Sequence, residues 1–405
     1  MNSIQGLAYQ EVSFDQDGAE LAGGQQLIDA AVQGQAKDVF VLVHGWNSSE
    51  AGARGMYQNM FRLLAGMLGP NLTTSVAAGV FWPARALAED DGAAPGTAPG
   101  LPGGSPTLVE QLSDAFPRPE QQRILQQVDA ALDAPDPQLF GPNGIHRMLA
   151  ALPTSPASPK PEFDEDAPLG RPNRIELDLE RAAEHICGSA CDVIRLFTYY
   201  EMKNRAAVVG QQGLGPLLSR LGDAAHVRIH LMGHSFGARL VAHTLVGIGG
   251  AEQSPIASLT LLQGAFSHFS FAPAVTHAPD PGVPGALNPL VGLVAGPLLA
   301  TFTGADRALG DWYPMATMLQ RGDLALLDHP TYRWGAMGHD GFQQPDAVTL
   351  PLGPQGTPYG FGKGGIYRLD ANAVINADLS AFSGAHSDIC HAEVLWAVVS
   401  AARLT

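Results

Sequence analysis

The sequence predicts an α/β fold with a mostly parallel central sheet and helices on both faces. Short β-branched and apolar runs alternate with longer helical patterns, the order that gives parallel strands joined by crossover helices. Several of the runs are apolar on both alternations, as strands covered on both sides must be. With 405 residues, 45% hydrophobic and 15% charged, the chain is long and apolar enough to bury a large core.

The strands expected are DVFVLVH (38–44), SVAAGVFW (75–82), VRIHLMG (227–233), SLTLLQG (258–264), LLATFT (298–303) and GIYRLD (365–370). Helical spacing falls between them, at 51–67, 192–209, 213–221, 236–248 and 391–402. The last carries an apolar stripe of Val394, Leu395, Val398 and Val399. Residues 281–305 carry no charge, but Pro281, Pro284, Pro289 and Pro297 would break a membrane-spanning helix, so the end of this stretch reads as a buried strand.

Residues 88–175 differ in composition, holding 15 of the 31 prolines together with acidic clusters such as EFDED (162–166). Three amphipathic stretches, TLVEQLSDAF, RILQQVDAAL and GIHRMLAAL, lie between proline-rich joints, which predicts a helical lid inserted into a body formed by 1–87 and 176–405.

A formal charge of −16 without a basic cluster argues against nucleic-acid binding and against anionic membrane surfaces. The first residues have neither a basic start nor a continuous apolar stretch, so no secretory signal is expected and a cytoplasmic location is favoured. No transmembrane segment is expected. Cys187 and Cys191, four apart, read as reduced structural thiols on one helix face. His277, His329, His339 and Asp340 are spread through loops without a repeated ligand spacing, so neither a metal nor a cofactor is expected.

One short stretch concentrates chemistry. HLMGHSFGARLV (230–241) places Ser235 between an apolar strand and a helix carrying Leu240, Val241, Leu245 and Ile248 at helical spacing. Such a strand–turn–helix projects a serine from the strand end, Gly233 and Gly237 remove side chains that would collide, and the helix N-terminus faces developing negative charge. A serine hydroxyl is a poor nucleophile at neutral pH, so a histidine base and an orienting carboxylate must come from elsewhere in the fold. Upstream, VLVHGWN ends another strand, and His44-Gly45 leaves the chain bare enough for the Trp46 N–H to join the Phe236 N–H as an oxyanion hole. His44 and His234 are expected to shape these loops. For the base, His386 lies in the loop LSAFSGAHSDI between the last strand and the last helix. His391, at the start of that helix, is the rival.

On HGW (44–46), GHSFGARLV (233–241) and AHSDI (385–389), the chain resembles the α/β-hydrolase superfamily, and within it the lipase and carboxylesterase-type serine hydrolases. The resemblance covers about residues 35–85 and 190–402, while 88–175 match no motif. It implies an α/β-hydrolase fold and a Ser-His-Asp triad. It also places the acid just after a late strand, which together with the strand-end position favours Asp306; Asp340 is the main rival, Asp280 a weaker one, and Asp311 is a helix-capping candidate. Lys203 and Arg205 read as a solvated face or an internal ion pair. The expected activity is hydrolysis of a small-molecule or lipid carboxylic ester through an acyl-enzyme. Acyl transfer or amide or thioester hydrolysis on the same triad, or a non-catalytic interaction protein, are the alternatives.

Overall fold

A computed structural model describes residues 2–84, scattered positions between 116 and 127, and residues 190–248, 254–274, 282–321, 333–344, 346–380 and 383–404. The strands are β1 (Asn2–Ile4), β2 (Leu7–Phe14), β3 (Glu20–Ala22), β4 (Asp38–Val43), β5 (Ser75–Phe81), β6 (Arg228–His234), β7 (Ile256–Leu262), β8 (Leu298–Phe302), β9 (Val348–Pro351) and β10 (Ile366–Asp370). The helices are α1 (Gly24–Gln33), α2 (Glu50–Met67), α3 (Ala190–Val208), α4 (Gly215–Ala225), α5 (Phe236–Ile248), α6 (Tyr313–Arg321), the single turn α7 (Met337–Asp340), and α8 (Ala392–Ala401).

The strands form one sheet in the order β1-β2-β5-β4-β6-β7-β8-β10-β9, with β3 on β2. Every pairing from β2 to β9 is parallel, and only β1 and β3 run antiparallel to β2. All six strands expected from the sequence are present in this sheet. Their side chains divide by parity, as period-two geometry requires. Val39, Val41 and Val43 join one core with Leu27 of α1, Leu217 of α4 and Leu240 of α5. Phe40 and Leu42 join another with Phe61 of α2 and Leu395 of α8. The sheet is therefore covered on both faces, and a parallel strand leaves its carboxyl end pointing at the same edge as its neighbours.

The differences from expectation are local. Strands β1–β3 and β9 were not anticipated: β2 alternates buried and half-buried residues, and β9 is largely exposed. The helix expected at 213–221 occupies 215–225 and is preceded by a π-helical stretch, Val209–Leu214, continuous with α3. Most of the expected lid, 88–175, lies outside the described residues. Within it, Phe116 and Leu125 are buried in the same core as α3 and α5, and the Gln121 side chain donates to Glu201 Oε2 at 3.0 Å. Among the described residues, no helix is long and apolar enough to cross a membrane.

Candidate active site

Strand β6 ends at His234 and α5 begins at Phe236, so a single residue makes the turn between them. That residue is Ser235, at φ 57°. The left-handed region costs an L-residue about 1–2 kcal/mol, which the surrounding structure must hold in place. It does so through the backbone: Ser235 N–H donates to Leu262 O at 3.1 Å, and Ser235 O accepts from Ala238 N–H and Ala265 N–H at 3.0 and 3.2 Å.

The glycines around the serine are there for close approach. A Cβ on Gly233 would lie 2.2 Å from Gly237 O, and one on Gly237 would lie 2.4 Å from Val43 O. A Cβ on Gly45 would lie 2.8 Å from the Ser235 Cβ. The His44-Gly45-Trp46 loop thus packs directly on the serine turn.

Two further loops reach the same edge of the sheet. Asp306 follows β8 and is fully buried; Gly384 pairs with it across an isolated bridge, and Ala385 N–H donates to Ala305 O at 3.0 Å. These contacts seat His386 between the carboxylate and the serine. Its Nδ1–H donates to Asp306 Oδ2 at 2.7 Å, and the Ser235 hydroxyl donates to its Nε2 at 2.8 Å. A carboxylate oxygen facing Nδ1 assigns that nitrogen the proton and leaves Nε2 as the acceptor. Asp306 is itself fixed by Leu309 N–H, which donates to Oδ1 at 3.0 Å, and by Gln263 Nε2–H, which donates to Oδ2 at 3.0 Å.

The neighbouring histidines are structural. Burial pushes the His44 imidazole down to about 4, against the raising effect of the Gly45 carbonyl. Its Nδ1–H donates to that carbonyl at 3.0 Å, and Trp82 N–H donates to its Nε2 at 3.4 Å. Burial, then the charge of nearby His386, pushes His234 down to about 3. The His234 Nε2–H donates to the His386 carbonyl at 2.9 Å, so the serine turn and the histidine loop are tied by a side chain.

Two backbone N–H groups face no backbone acceptor among the described residues. Phe236 is the first residue of α5, whose N–H has no intrahelical partner, and Trp46 N–H is likewise unbonded, whereas Asn47 N–H donates to Ala84 O. Beside them is an aromatic group: the Trp46 ring stacks on Trp312 with centroids 6.2 Å apart and meets Tyr199 and Phe236.

The rival candidates are held elsewhere. Asp340 accepts from His268 Nδ1–H at 2.9 Å, and His391 Nε2–H donates to Asp388 Oδ1 at 2.8 Å at the start of α8. Asp311 is exposed in the helical turn leading into α6. Arg205 is buried, paired with Glu201 Oε1 at 3.1 Å, and Lys203 is buried with its Nζ 5.3 Å from the Tyr313 ring, so neither forms a solvated face. Asp280, His277, His329 and Cys187 lie outside the described residues, as does the Cys191 side chain. Among the described residues, no group of three or more His, Cys, Asp or Glu side chains is placed to hold a metal ion.

Gln263 and the tethering role of His234 were not apparent from the sequence. Each acts across more than 40 residues of chain, and no spacing rule connects them; the only signal is a glutamine directly after strand β7. No protein-family model matches the chain, and comparisons with curated proteins and with solved structures give no match.

Proposed function

We propose that the chain is a serine hydrolase of the α/β-hydrolase type that cleaves carboxylic esters through an acyl-enzyme. The observation that carries this reading is the continuous relay from Ser235 Oγ through His386 to Asp306, at 2.8 and 2.7 Å, at the carboxyl edge of a parallel sheet.

Ser235 Oγ attacks the ester carbonyl carbon while its proton passes to His386 Nε2. The carbonyl electron pair moves onto oxygen, which the Trp46 and Phe236 amides stabilise. Collapse of the tetrahedral intermediate breaks the bond to the alcohol oxygen, which takes the proton from Nε2. Water then repeats the sequence: it loses a proton to Nε2, attacks the acyl carbon, and releases a carboxylic acid as Ser235 recovers its proton. Asp306 holds the imidazole in the required tautomer throughout. This chemistry draws on no cofactor. On its amphipathic, proline-jointed sequence we assign the insertion 88–175 the role of a lid over the acyl chain.

The test is hydrolysis of nitrophenyl esters from short to long acyl chains, by wild type and by Ser235→Ala. Turnover that falls by about 10,000-fold or more in the variant supports the reading, and preference for longer chains supports the lid. Equal turnover in both proteins contradicts it.

A further inference from the structure

Gln263 belongs to none of the motifs, yet its side chain bonds the acid of the relay directly. It directly follows β7 at φ 46°, is fully buried, and its side chain hydrogen-bonds three residues. Its Nε2 donates to Asp306 Oδ2 at 3.0 Å and to Gly338 O at 2.9 Å, and its Oε1 accepts from the Thr301 hydroxyl at 2.9 Å. Thr301 Oγ1 in turn accepts from Gln263 N–H at 3.1 Å.

This network leaves one orientation for the amide. Gly338 O and Asp306 Oδ2 are both acceptors, so the NH₂ group must face them and the carbonyl must face Thr301. Every polar atom of the side chain is then satisfied in a fully buried site. The oxygen it reaches is Oδ2, the one that His386 also uses.

We propose that Gln263 is a positioning residue of the hydrolytic site: its amide fixes the rotation of the Asp306 carboxylate so that Oδ2 stays in line with His386 Nδ1. The inference rests on the hydrolase reading above. Leu309 N–H anchors Oδ1, and Gln263 Nε2–H anchors Oδ2. With both held, the carboxylate has no freedom to rotate away when the imidazole becomes charged during turnover. Without Gln263, one oxygen loses its anchor, and a buried carbonyl at Gly338 loses its donor.

Two substitutions separate this role from simple core packing. Gln263→Met keeps length and removes the donor. Gln263→Glu keeps shape and replaces the donor with an acceptor that repels Asp306 until it is protonated; burial and the like charge raise the pKa of the introduced carboxyl. For Gln263→Met, kcat is expected to fall by about 10–100-fold with KM nearly unchanged, short of the roughly 10,000-fold loss that follows removal of a triad acid. For Gln263→Glu, the ratio of its kcat/KM to that of wild type should rise as pH falls, because the protonated carboxyl donates again. Packing alone would give no such pH dependence. If Gln263→Met fails to fold, the pH dependence of the isosteric Gln263→Glu decides.

Wild-type kcat in a folded Gln263→Met variant, or a Gln263→Glu ratio independent of pH, overturns the proposal while leaving the triad reading intact. Wild-type protein without Ser235-dependent turnover overturns the triad reading, and this inference with it.

Discussion

Burial keeps the two histidines beside Ser235 uncharged, and that has a consequence for stability. His44 and His234 are held at about 4 and about 3 in the folded chain, below the ordinary 6.5. Between those values the unfolded chain binds more protons than the folded one, so stability rises with pH across the interval and is lost as pH falls below about 6.5. Each such histidine costs up to about 1.4 kcal/mol per pH unit. His230 is lowered in the same direction by burial, although Asp38 opposes it. The paired carboxylates Glu11 and Asp38 are lowered as well, but their contribution is lost only below the ordinary carboxylate range, so the interval from pH 7.5 to 5 belongs to the histidines. Urea unfolding across that interval should show a clear fall in stability; a flat profile would contradict the assignment of His44 and His234 as neutral. At this scale the sequence carried much of the answer. The GHSFG pattern and the loop before the last helix point to Ser235 and His386, whose side chains lie 2.8 Å apart in the structure. The partners of Asp306 were hidden because they are made by tertiary contact, not spacing.

The strand–turn–helix from β6 to α5 depends on glycines for space at its junction. At Gly237 an added Cβ would meet backbone oxygens of Val43 and His44 at 2.4 and 2.5 Å, the first at the end of β4 and the second bonded by the Trp82 indole. Gly237→Ala is expected to lower stability by about 1–3 kcal/mol or more and to reduce turnover, because α5 must lift from β4 and take the Phe236 amide with it. Gly55, within α2, has nothing within 4 Å of such a Cβ, so Gly55→Ala should stabilise by about 0.5–1 kcal/mol. Thermal unfolding of the two variants checks the opposite signs; equal shifts would show that the junction is not tightly packed. The strands that were legible are the apolar ones buried on both faces. Strand β9 is largely exposed and β1–β3 form the opposite margin of the sheet, where one-sided burial weakens the apolar run that marks a strand.

Across the whole molecule, the direction of the strands distinguishes the candidate site from a second polar cluster. A second Asp-His-Ser series crosses three neighbouring strands: His230 bonds Asp38 Oδ1 at 3.0 Å and Ser258 Oγ at 2.9 Å, and Arg228 pairs with Asp38 at 2.6 Å. Asp38, His230 and Ser258 are each 1% exposed and lie toward the amino ends of β4, β6 and β7, so a substrate has no approach to them. The Ser235 relay stands instead where three strand-end loops converge at the carboxyl ends, and where two amides and an aromatic group adjoin it. The alternation of strands and helices made this architecture readable from sequence, since parallel strands with helical crossovers leave all their carboxyl ends on one edge. The proposed function requires that Ser235 be an activated nucleophile. The direct measurement is reaction of the folded protein with a fluorophosphonate, followed by peptide mass analysis. One adduct per chain on the peptide containing Ser235, lost in His386→Ala, is the predicted result; no adduct, or an adduct that forms equally without His386, would contradict it.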